Sequence, residues 1–400
     1  MSSTGFSKPY SVNDVFQKLE ILSKRYPPQS KTVHVASLKP GRILAEDIEA
    51  MEDIPALTKS TVDGFAIKGN QPGTKRQIVG LSTTETPYNA ILPQGECVRI
   101  TNGGVVPDGA DTVVPCENVS LSDNQESIEI HVQPTIGANI RERGSEAKSG
   151  YALLKRGYKI DSNGIGLLHV LGISHVEIYK RPSVCIMSVG IEHTFQRSNG
   201  NYNRCQLMNL FHRQRFKPID AGESSNNLIE IEKNIRIAAE FACFIVVCGD
   251  VECVQKTVRK LNLELVISGI SAHPGNVTFA YGMIDEKSVF LCCLPQEPAS
   301  VWIGVNLFFN PFLRAVGGEA FKSGLGLKSE TTMPFESSPV IRFFPGKTVI
   351  MHGKLISIPL STDNLCEANS ILEISRNRSY YVGDAMNVMI VDCMYQHVLL

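Results

Sequence analysis

Residues 95–119 read GECVRITNGGVVPDGADTVVPCENV and hold a short alternating stretch, CVRIT, followed by a run rich in glycine and proline. Apolar residues that alternate with polar ones and are bounded by Gly, Pro and Asp are typical of short strands joined by tight turns. The same pattern extends over residues 54–149, where IEIHV alternates in the same way. We therefore predict a β-rich unit with many turns across this range.

Helical patterns lie on either side of this unit. Residues 11–25, SVNDVFQKLEILSKR, begin with a serine that can cap a helix, and residues 163–173, NGIGLLHVLGI, predict a shorter helix. Residues 33–50 contain GRILAEDI, which indicates a turn followed by a strand. The first helix has apolar residues at helical spacing, namely Val12, Val15, Phe16, Leu19 and Leu22.

Beyond residue 180 strands alternate with helices. SVCIMSVG (183–190) predicts a strand, the regions 206–215 and 228–242 predict helices, and CFIVVCG (243–249) predicts another strand. This alternation indicates an α/β unit with a largely parallel sheet over residues 180–320. Residues 321–400 return to short strands with little helix and predict a last small β unit.

The composition is that of an ordinary globular protein. The chain has 400 residues, 43% of them hydrophobic and 20% charged, with a net charge of −1. This neutral balance argues against a bulk nucleic-acid binder or a polybasic membrane-surface protein. No apolar run could span a bilayer, and the polar start MSSTGFSKPYSVND lacks the apolar core of a signal peptide. We therefore expect a cytoplasmic protein without direct membrane insertion.

The eleven cysteines contain no CxxC pair, which leaves a zinc or thioredoxin-like site with little support. The neighbours Cys292 and Cys293 allow a redox role in principle; the alternative is a pair of reduced thiols in the core of a strand. Five cysteines lie in apolar segments and are interpreted as small buried hydrophobic residues, namely Cys185, Cys243, Cys248, Cys292 and Cys293.

Four ordered stretches, and a fifth shorter one, resemble the gephyrin E domain and MoeA family of molybdenum-insertion proteins. Order and spacing agree over residues 54–192, and the resemblance covers nearly the whole chain. The stretches are IPALTKSTVDGFAI (54–67), GECVRITNGGVVPDGADTVVPCENV (95–119), GANIRERGSEAKSGYALLKRG (137–157), RPSVCIMSVGIE (181–192) and LCEANSILEI (365–374).

The resemblance implies an α/β protein with added β-rich subdomains, arranged as four subdomains in an elongated homodimer. Residues 1–45 and 150–179 would form a helical, dimer-forming subdomain I, and residues 46–149 the β-rich subdomain II. Residues 180–320 would form subdomain III, whose mixed, mostly parallel sheet resembles molybdopterin-binding domains. Residues 321–400 would form a β-barrel-like subdomain IV.

Members of this family hydrolyse adenylylated molybdopterin and insert molybdate, in a pocket between subdomain III of one subunit and subdomain II of its mate. Such a site needs carboxylates for Mg²⁺, and backbone amides and lysines for anions. The resemblance assigns catalytic positions to Asp63, Glu146 and Glu192. Cofactor-binding positions would be Thr101, Glu117, Arg141, Gly190, Gly249, His273, Pro274, Gly275 and Asn276. Asp63 precedes Gly64, so the alternative is a role in stabilising a turn.

The α/β unit departs from the family pattern at several of these positions. The expected Gly-Asp-Glu reads Gly190-Ile191-Glu192, and the phosphate loop is shortened to CGDVE (248–252). Both lysines of the expected Lys-Pro-Gly-Lys-Pro are absent from HPGNV (273–277). The expected Leu-Pro-Gly-Asn-Pro reads LPQEP (294–298). Removing one donor aimed at a developing charge typically costs roughly 10²–10³ in rate, so these changes together favour a lost activity.

Nearby basic residues offer a replacement for the missing charge, namely Arg204, Arg213, Arg215 and Lys217. Their spacing places them on the solvated side of a helix whose Leu207, Leu210 and Phe211 face inward. We interpret them as surface residues of that helix.

Two functions remain open. The first is a non-enzymatic scaffold that needs no cofactor and holds a short segment of a partner protein, as the gephyrin E domain holds a receptor segment at its dimer edge. The resemblance points to Asn13 and Phe16 on the first helix, with Tyr380 and Tyr381 in the last β unit. The alternative is an active molybdopterin molybdenumtransferase that uses Mg²⁺ and adenylylated molybdopterin.

Overall fold

A computed structural model describes residues 9–190, 202–324 and 326–391. The chain divides into two compact units. The first unit contains Met1–Val33, Gly41–Ala45 and Glu177–Leu400, and the second contains His34–Pro40 and Glu46–Val176. The finer division into four subdomains stays a prediction.

The predicted helices form, and several of the described helices begin at strong capping residues. The Ser11 hydroxyl accepts a hydrogen bond from the Asp14 N–H at 3.2 Å, and the Asp14 carboxylate accepts one from the Ser11 N–H at 3.2 Å. This reciprocal pair satisfies two otherwise unpaired donors and fixes the start of the first helix. The described helices are α1 (Val12–Ser23), α2 (Ser162–Val170), α3 (Tyr202–Arg213), α4 (Leu228–Phe241), α5 (Val251–Lys260), α6 (Pro298–Gly304) and α7 (Asn310–Val316).

The second unit is built on a six-stranded sheet, which confirms the predicted β-rich region. Phe65, Cys97 and Val114 are fully buried in its small core. In chain order the strands of this sheet are Gly64–Ile67, Lys75–Ser82, Glu96–Ile100, Thr112–Pro115, Val119–Leu121 and Ser127–Ile130. Shorter strands are Ile48–Glu49, Lys59–Ser60, Ile140–Arg141, Ala152–Leu154 and Lys159–Ile160.

The first unit contains the predicted α/β sheet, which is mixed. Its order is Lys217–Ser224, Ser183–Val189, Phe244–Gly249, Lys287–Leu294, Thr278–Ile284, Glu264–Ser268. The first four strands run parallel, and Thr278–Ile284 runs antiparallel to both of its neighbours. Every residue of Phe244–Gly249 is buried, as expected for a central strand covered on both faces.

The C-terminal part of the first unit is a closed five-stranded barrel. Ile341–Met351 pairs with both Lys354–Pro359 and Ser370–Ile374, and this double pairing closes the sheet. Leu327–Thr331 and Ala385–Ile390 complete the barrel. Ala272–His273 adds a short parallel pairing to Ile341–Met351. Arg42–Ile43 is a further strand of this unit. The strands Ser30–His34 and His175–Tyr179 lie partly in this unit, because a unit boundary falls within each of them.

The burial of cysteines differs from the prediction at one position. Cys185, Cys248, Cys292 and Cys293 are buried as predicted, but Cys243 is exposed. Cys243 precedes the strand Phe244–Gly249 and therefore lies outside its buried register. No helix in the described part of the chain is long and apolar enough to cross a membrane.

Candidate functional site

Three of the predicted site residues meet at one end of the sheet in the second unit. Asp63 precedes the strand Gly64–Ile67, and Thr101 follows Glu96–Ile100. Gly64 pairs with Ile100 on one side and with Pro115 on the other, so these strand ends coincide. Glu117 lies just after Pro115, in the short 3-10 helix Cys116–Asn118. The antiparallel pairing therefore brings Asp63, Thr101 and Glu117 to the same end of the sheet.

The Asp63 carboxylate is exposed and takes part in a local turn. Its Oδ1 atom accepts a hydrogen bond from the Asn102 N–H at 2.8 Å. Its backbone carbonyl accepts another from the Cys116 N–H at 3.2 Å. These bonds join the ends of three strands, which is the turn-stabilising role expected from Asp before Gly. The exposed carboxylate also faces solvent, so the turn role does not remove it from chemistry.

Arg141 and Glu146 form an ion pair in the second unit. Arg141 Nη1 lies 2.9 Å from Glu146 Oε1, and the two side chains are 56% and 52% exposed. An exposed pair of this kind contributes about 0–1 kcal/mol to stability. The contact partly neutralises the charge of Arg141, a predicted cofactor-binding residue, and that of Glu146, a predicted catalytic residue.

The first unit brings its own set of predicted residues to the carboxyl ends of the parallel strands, where open α/β sheets bind ligands. Gly190 follows Ser183–Val189, and Gly249 ends Phe244–Gly249. Val189 pairs with Gly249, so the two glycines are neighbours at this edge. A Cβ atom at Gly249 would lie 2.0 Å from the Val189 carbonyl oxygen, so only glycine allows this close approach. Glu192 lies outside the described residues.

The turn of His273, Pro274, Gly275 and Asn276 lies at the same edge. It precedes Thr278, which pairs with Cys293 near the carboxyl end of Lys287–Leu294. Pro274 is buried, whereas His273 and Asn276 are exposed. An imidazole and an amide therefore stand where the resemblance expects two lysines.

Carboxylates of the chain occupy the two helix N-termini that follow these strands. Asp250 Oδ1 accepts a hydrogen bond from the Cys253 N–H at 3.0 Å and caps α5. Glu297 accepts from the Ala299 N–H at 3.1 Å and caps α6. These N–H groups and the positive helix ends are what a bound phosphate would use.

The environment of Glu297 holds its carboxylate ionised. Partial burial alone would raise its pKa, but hydrogen bonds from Ser300, Thr362 and Ala299 outweigh burial, and the pKa lies below the ordinary value of a glutamate. The Thr362 hydroxyl donates to Glu297 Oε1 at 2.9 Å. A second anion at this helix end would therefore approach a fixed negative charge.

The described residues give no ready metal centre. Across the ranges 9–190, 202–324 and 326–391, no three His, Cys, Asp or Glu side chains converge as metal ligands. The predicted carboxylates Asp63 and Glu146 both belong to the second unit. Asp63 accepts from a backbone amide, and Glu146 pairs with Arg141.

The predicted partner-binding helix borders a cavity of about 360 Å³ in the first unit. Phe16 lies in its wall but is only 9% exposed, and its ring packs against Phe308 with ring centroids 5.4 Å apart. Asn13 is exposed at the cavity. The lining residues are Ser11, Val12, Asn13, Phe16, Ser323, Ile341, Glu373 and Asn387.

Tyr380 and Tyr381 lie outside this lining. Tyr380 is 2% exposed, and its hydroxyl donates to Ser375 Oγ at 3.1 Å. Tyr381 is 72% exposed. The barrel contributes Glu373 and Asn387 instead, which face each other across paired strands. Sequence reasoning missed these two, although a glutamate among the apolar residues of SILEI (370–374) is a signal that could have found Glu373.

Comparison with known proteins agrees with this architecture. The family model for the MoeA N-terminal region (domain I and II) matches residues 12–172. A molybdopterin molybdenumtransferase from Haemophilus influenzae is 27% identical over 306 residues, which cover 74% of each chain. The molybdopterin biosynthesis moeA protein from Pyrococcus horikoshii has the same fold, with a TM-score of 0.79 over 96% of this chain and 100% of its own, at 21% identity.

Residues 12–172 match the MoeA N-terminal region, and the chain as a whole has the fold of a MoeA protein. A gephyrin from Dictyostelium discoideum is 39% identical over 177 residues, which cover 40% of this chain and 24% of that protein. The matched MoeA N-terminal region contains Asp63, Thr101, Glu117, Arg141 and Glu146. The family model does not extend to the α/β unit, which is where the chain departs most from the expected motifs.

Proposed function

We propose that this MoeA/gephyrin E-like chain is a non-enzymatic binding protein that, as a homodimer, holds a short segment of a cytoplasmic partner protein. The observation that carries the proposal is the occupation of both helix N-termini at the sheet edge by Asp250 and Glu297. A tethered carboxylate competes with a phosphate for the same N–H donors and repels it. Two fixed anions at this edge thus disfavour a pyrophosphate substrate.

The absence of two expected lysines at the neighbouring turn also disfavours a pyrophosphate substrate. His273 and Asn276 replace the two lysines expected from the family motif. Each lost donor typically costs roughly 10²–10³ in rate, and the losses need not add. A working site would need a new source of positive charge among several altered positions.

The alternative is an active molybdopterin molybdenumtransferase. The observation that favours it is the arrangement of Asp63, Thr101 and Glu117 at one end of the sheet in the second unit. This half of the family site keeps its acidic positions. Such an enzyme would take adenylylated molybdopterin as substrate and Mg²⁺ as its metal.

The cavity beside α1 supports the binding function. Phe16 and Ile341 contribute apolar wall, while Asn13, Glu373 and Asn387 contribute polar groups. Asn387 Nδ2 donates to Glu373 Oε1 at 3.2 Å, which holds the carboxylate at the cavity. This chemistry suits an extended segment with one apolar side chain and a basic or amide group for Glu373. We expect an affinity near micromolar, or roughly −8 kcal/mol.

Complementation of a cell that lacks molybdenum insertion tests the loss of activity. We expect that the chain at normal expression does not restore molybdoenzyme activity. The matched variant carries His273→Lys, Asn276→Lys, Gln296→Gly and Glu297→Asn, which returns the family residues at two motifs. Restoration by the unaltered chain would refute the non-enzymatic proposal and establish the enzyme.

A pair of variants on α1 tests the binding groove. Asn13→Arg places a cation at the cavity, and Gln17→Arg makes the same charge change one turn later, outside the lining. Proteins captured by the unaltered chain are digested, and the bound segment is synthesised and titrated by calorimetry. We expect at least a tenfold weaker affinity for Asn13→Arg and no change for Gln17→Arg. Equal affinities of both variants would exclude this groove.

A further inference from the structure

A second cavity in the first unit is lined mainly by positive charge. It has a volume of about 40 Å³, room for roughly three water molecules or one small tetrahedral anion. The turn Gly41–Ile43, the linker Tyr179–Pro182, residues 214–216 after α3, and residues 314–319 at the end of α7 surround it. Four of the lining residues are arginines, namely Arg42, Arg181, Arg215 and Arg314.

The positive charge in this cavity is not balanced by its lining residues. The lining contains five cations, the four arginines and Lys180, against the single carboxylate of Glu319. None of the four guanidinium groups has a carboxylate within 4.0 Å in the part of the chain that the structure describes. Arg42, Arg181 and Arg314 are half-buried, and half-buried cations in proteins are normally paired. A cluster of unpaired guanidinium groups around a cavity indicates a site for an anion.

The arginines also repel one another. Burial, together with the charges of Arg42 and Arg215, lowers the pKa of Arg181 to about 10. Burial and the charge of Arg215 lower the pKa of Arg42. Because arginine stays protonated at neutral pH, the repulsion persists in the folded protein and a bound anion would relieve it.

The local backbone holds Arg215 across the cavity. Arg215 has a φ of 67°, which is uncommon for a residue other than glycine. Its guanidinium lies on Gly41, where a Cβ atom would be 2.9 Å from Arg215 Nη1. Gly41 itself has a φ of 83°, so both the turn and the space beside it require glycine. Arg215 therefore lines the cavity while remaining exposed, as interpreted from the sequence, but it follows α3 instead of belonging to that helix.

The neutral lining adds a polar group to the site. Gln214 lies at the cavity, and its Oε1 atom is buried without a hydrogen-bond donor among the described residues. A protonated oxygen of a hydrogen phosphate can donate to such an acceptor, whereas sulfate at neutral pH has no proton to give. Guanidinium groups bind phosphate oxygens through paired N–H donors.

We propose that this arginine cavity binds a phosphate group, either inorganic phosphate or the terminal group of a small phosphate monoester. The site belongs entirely to the first unit and includes none of the positions assigned to the molybdopterin pocket. It does not depend on the function proposed above. An anion here would join the turn before Arg42 to the ends of α3 and α7.

Calorimetry on the full chain at low ionic strength tests this proposal, with inorganic phosphate, glycerol 3-phosphate and sulfate as separate ligands. We expect saturable binding of at least one phosphate compound at submillimolar to millimolar concentration, and weaker binding of sulfate. Arg181→Gln and Arg215→Gln should each weaken binding at least tenfold. The matched control Arg259→Gln, at an exposed position on α5, should bind as the unaltered chain does.

The two phosphate ligands distinguish the sources. Binding of inorganic phosphate alone indicates a free anion, and binding of glycerol 3-phosphate alone indicates a monoester. Without ligand, Arg215→Gln should melt at or above the temperature of the unaltered chain, because it removes uncompensated repulsion. Absence of saturable binding at 10 mM, on the order of tenfold above the expected range, would refute the proposal. An equal weakening of phosphate binding by Arg259→Gln would also refute the proposal.

Discussion

The carboxylate of Glu297 accepts a hydrogen bond from the backbone N–H of Ser300 at 2.5 Å. Glu297 stands where the family motif has asparagine, and Gln296 stands where it has glycine. The substitution therefore does more than remove an amide, since it supplies an anion that the helix α6 uses for its own cap. The side chain at this position is therefore part of the local structure.

Glu297→Ala should destabilise the first unit by about 1 kcal/mol at pH 7, because it removes a helix cap. The pKa of Glu297 is lowered in the folded protein, so its stabilisation is present above the unfolded-state pKa of about 4.3 and is lost as pH falls through the folded value. The difference in unfolding free energy between the unaltered chain and Glu297→Ala should therefore shrink as the pH falls from 7 to 3. Urea denaturation at both pH values measures it; a pH-independent difference would contradict the assignment.

Gly249→Ala should destabilise the α/β sheet by about 3 kcal/mol or more. The added Cβ would lie 2.0 Å from the Val189 carbonyl oxygen, inside a central strand that cannot move aside. Gly166→Ala on α2 is the control, because nothing lies within 4 Å of the added atom, and a gain of about 0.5–1 kcal/mol is expected there. Thermal denaturation of both variants measures the difference, and similar melting temperatures would refute the close contact.

Most elements were predictable where local signals agree. Ser11 and the apolar spacing from Val12 to Leu22 predict α1, and the structure has it at Val12–Ser23. The helical stretch from Pro298 to Val316 was missed. It is apolar on nearly every side and contains Pro298 and Pro311, so it has neither the periodicity nor the absence of proline that mark a surface helix.

The candidate sites were predictable to different degrees. Asp63 and Thr101 belong to one ordered motif set, so their approach at the sheet edge was expected from the resemblance. The cavity beside α1 joins Asn13 to Glu373 and Asn387, and the phosphate cavity joins Arg42 to Arg215. Asn13 is 360 positions from Glu373 and Arg42 is 173 positions from Arg215, so only tertiary packing brings these residues together.

The thiols should divide into two reactivity classes. Cys116, Cys205, Cys243 and Cys366 are exposed, and Cys292 and Cys293 are buried. Burial raises the pKa of both buried thiols, which further lowers the fraction of reactive thiolate. Among the described cysteines, mass spectrometry after brief alkylation of the native protein should find label on the exposed group and none on Cys292 or Cys293. Native labelling of Cys293 would revive the redox alternative for that pair.

The protein should sediment as a homodimer at micromolar concentration. The resemblance implies a site formed between two subunits, and isologous dimers are the commonest soluble assemblies. In this chain the positions of that site are divided between the second unit, with Asp63, and the first unit, with Gly249. Analytical ultracentrifugation should give twice the mass of one chain; a single-chain mass throughout would exclude the dimer.

Substitutions at Phe16 and Asn13 should separate effects on folding stability from effects on partner binding in the groove. Phe16→Ala removes a buried ring that packs on Phe308, and we expect a loss of about 3–5 kcal/mol. Weaker partner binding by that variant would therefore report unfolding as well as lost contact.

Asn13→Arg changes an exposed residue and should leave the melting temperature within about 2 °C, since surface substitutions usually change stability by less than about 0.5 kcal/mol. Its affinity for the bound segment should nevertheless fall at least tenfold. Thermal denaturation and calorimetry on Asn13→Arg, Gln17→Arg and Phe16→Ala together distinguish the outcomes. If only Phe16→Ala loses binding, and in proportion to its loss of folded protein, then Phe16 is a core residue and the partner segment binds elsewhere.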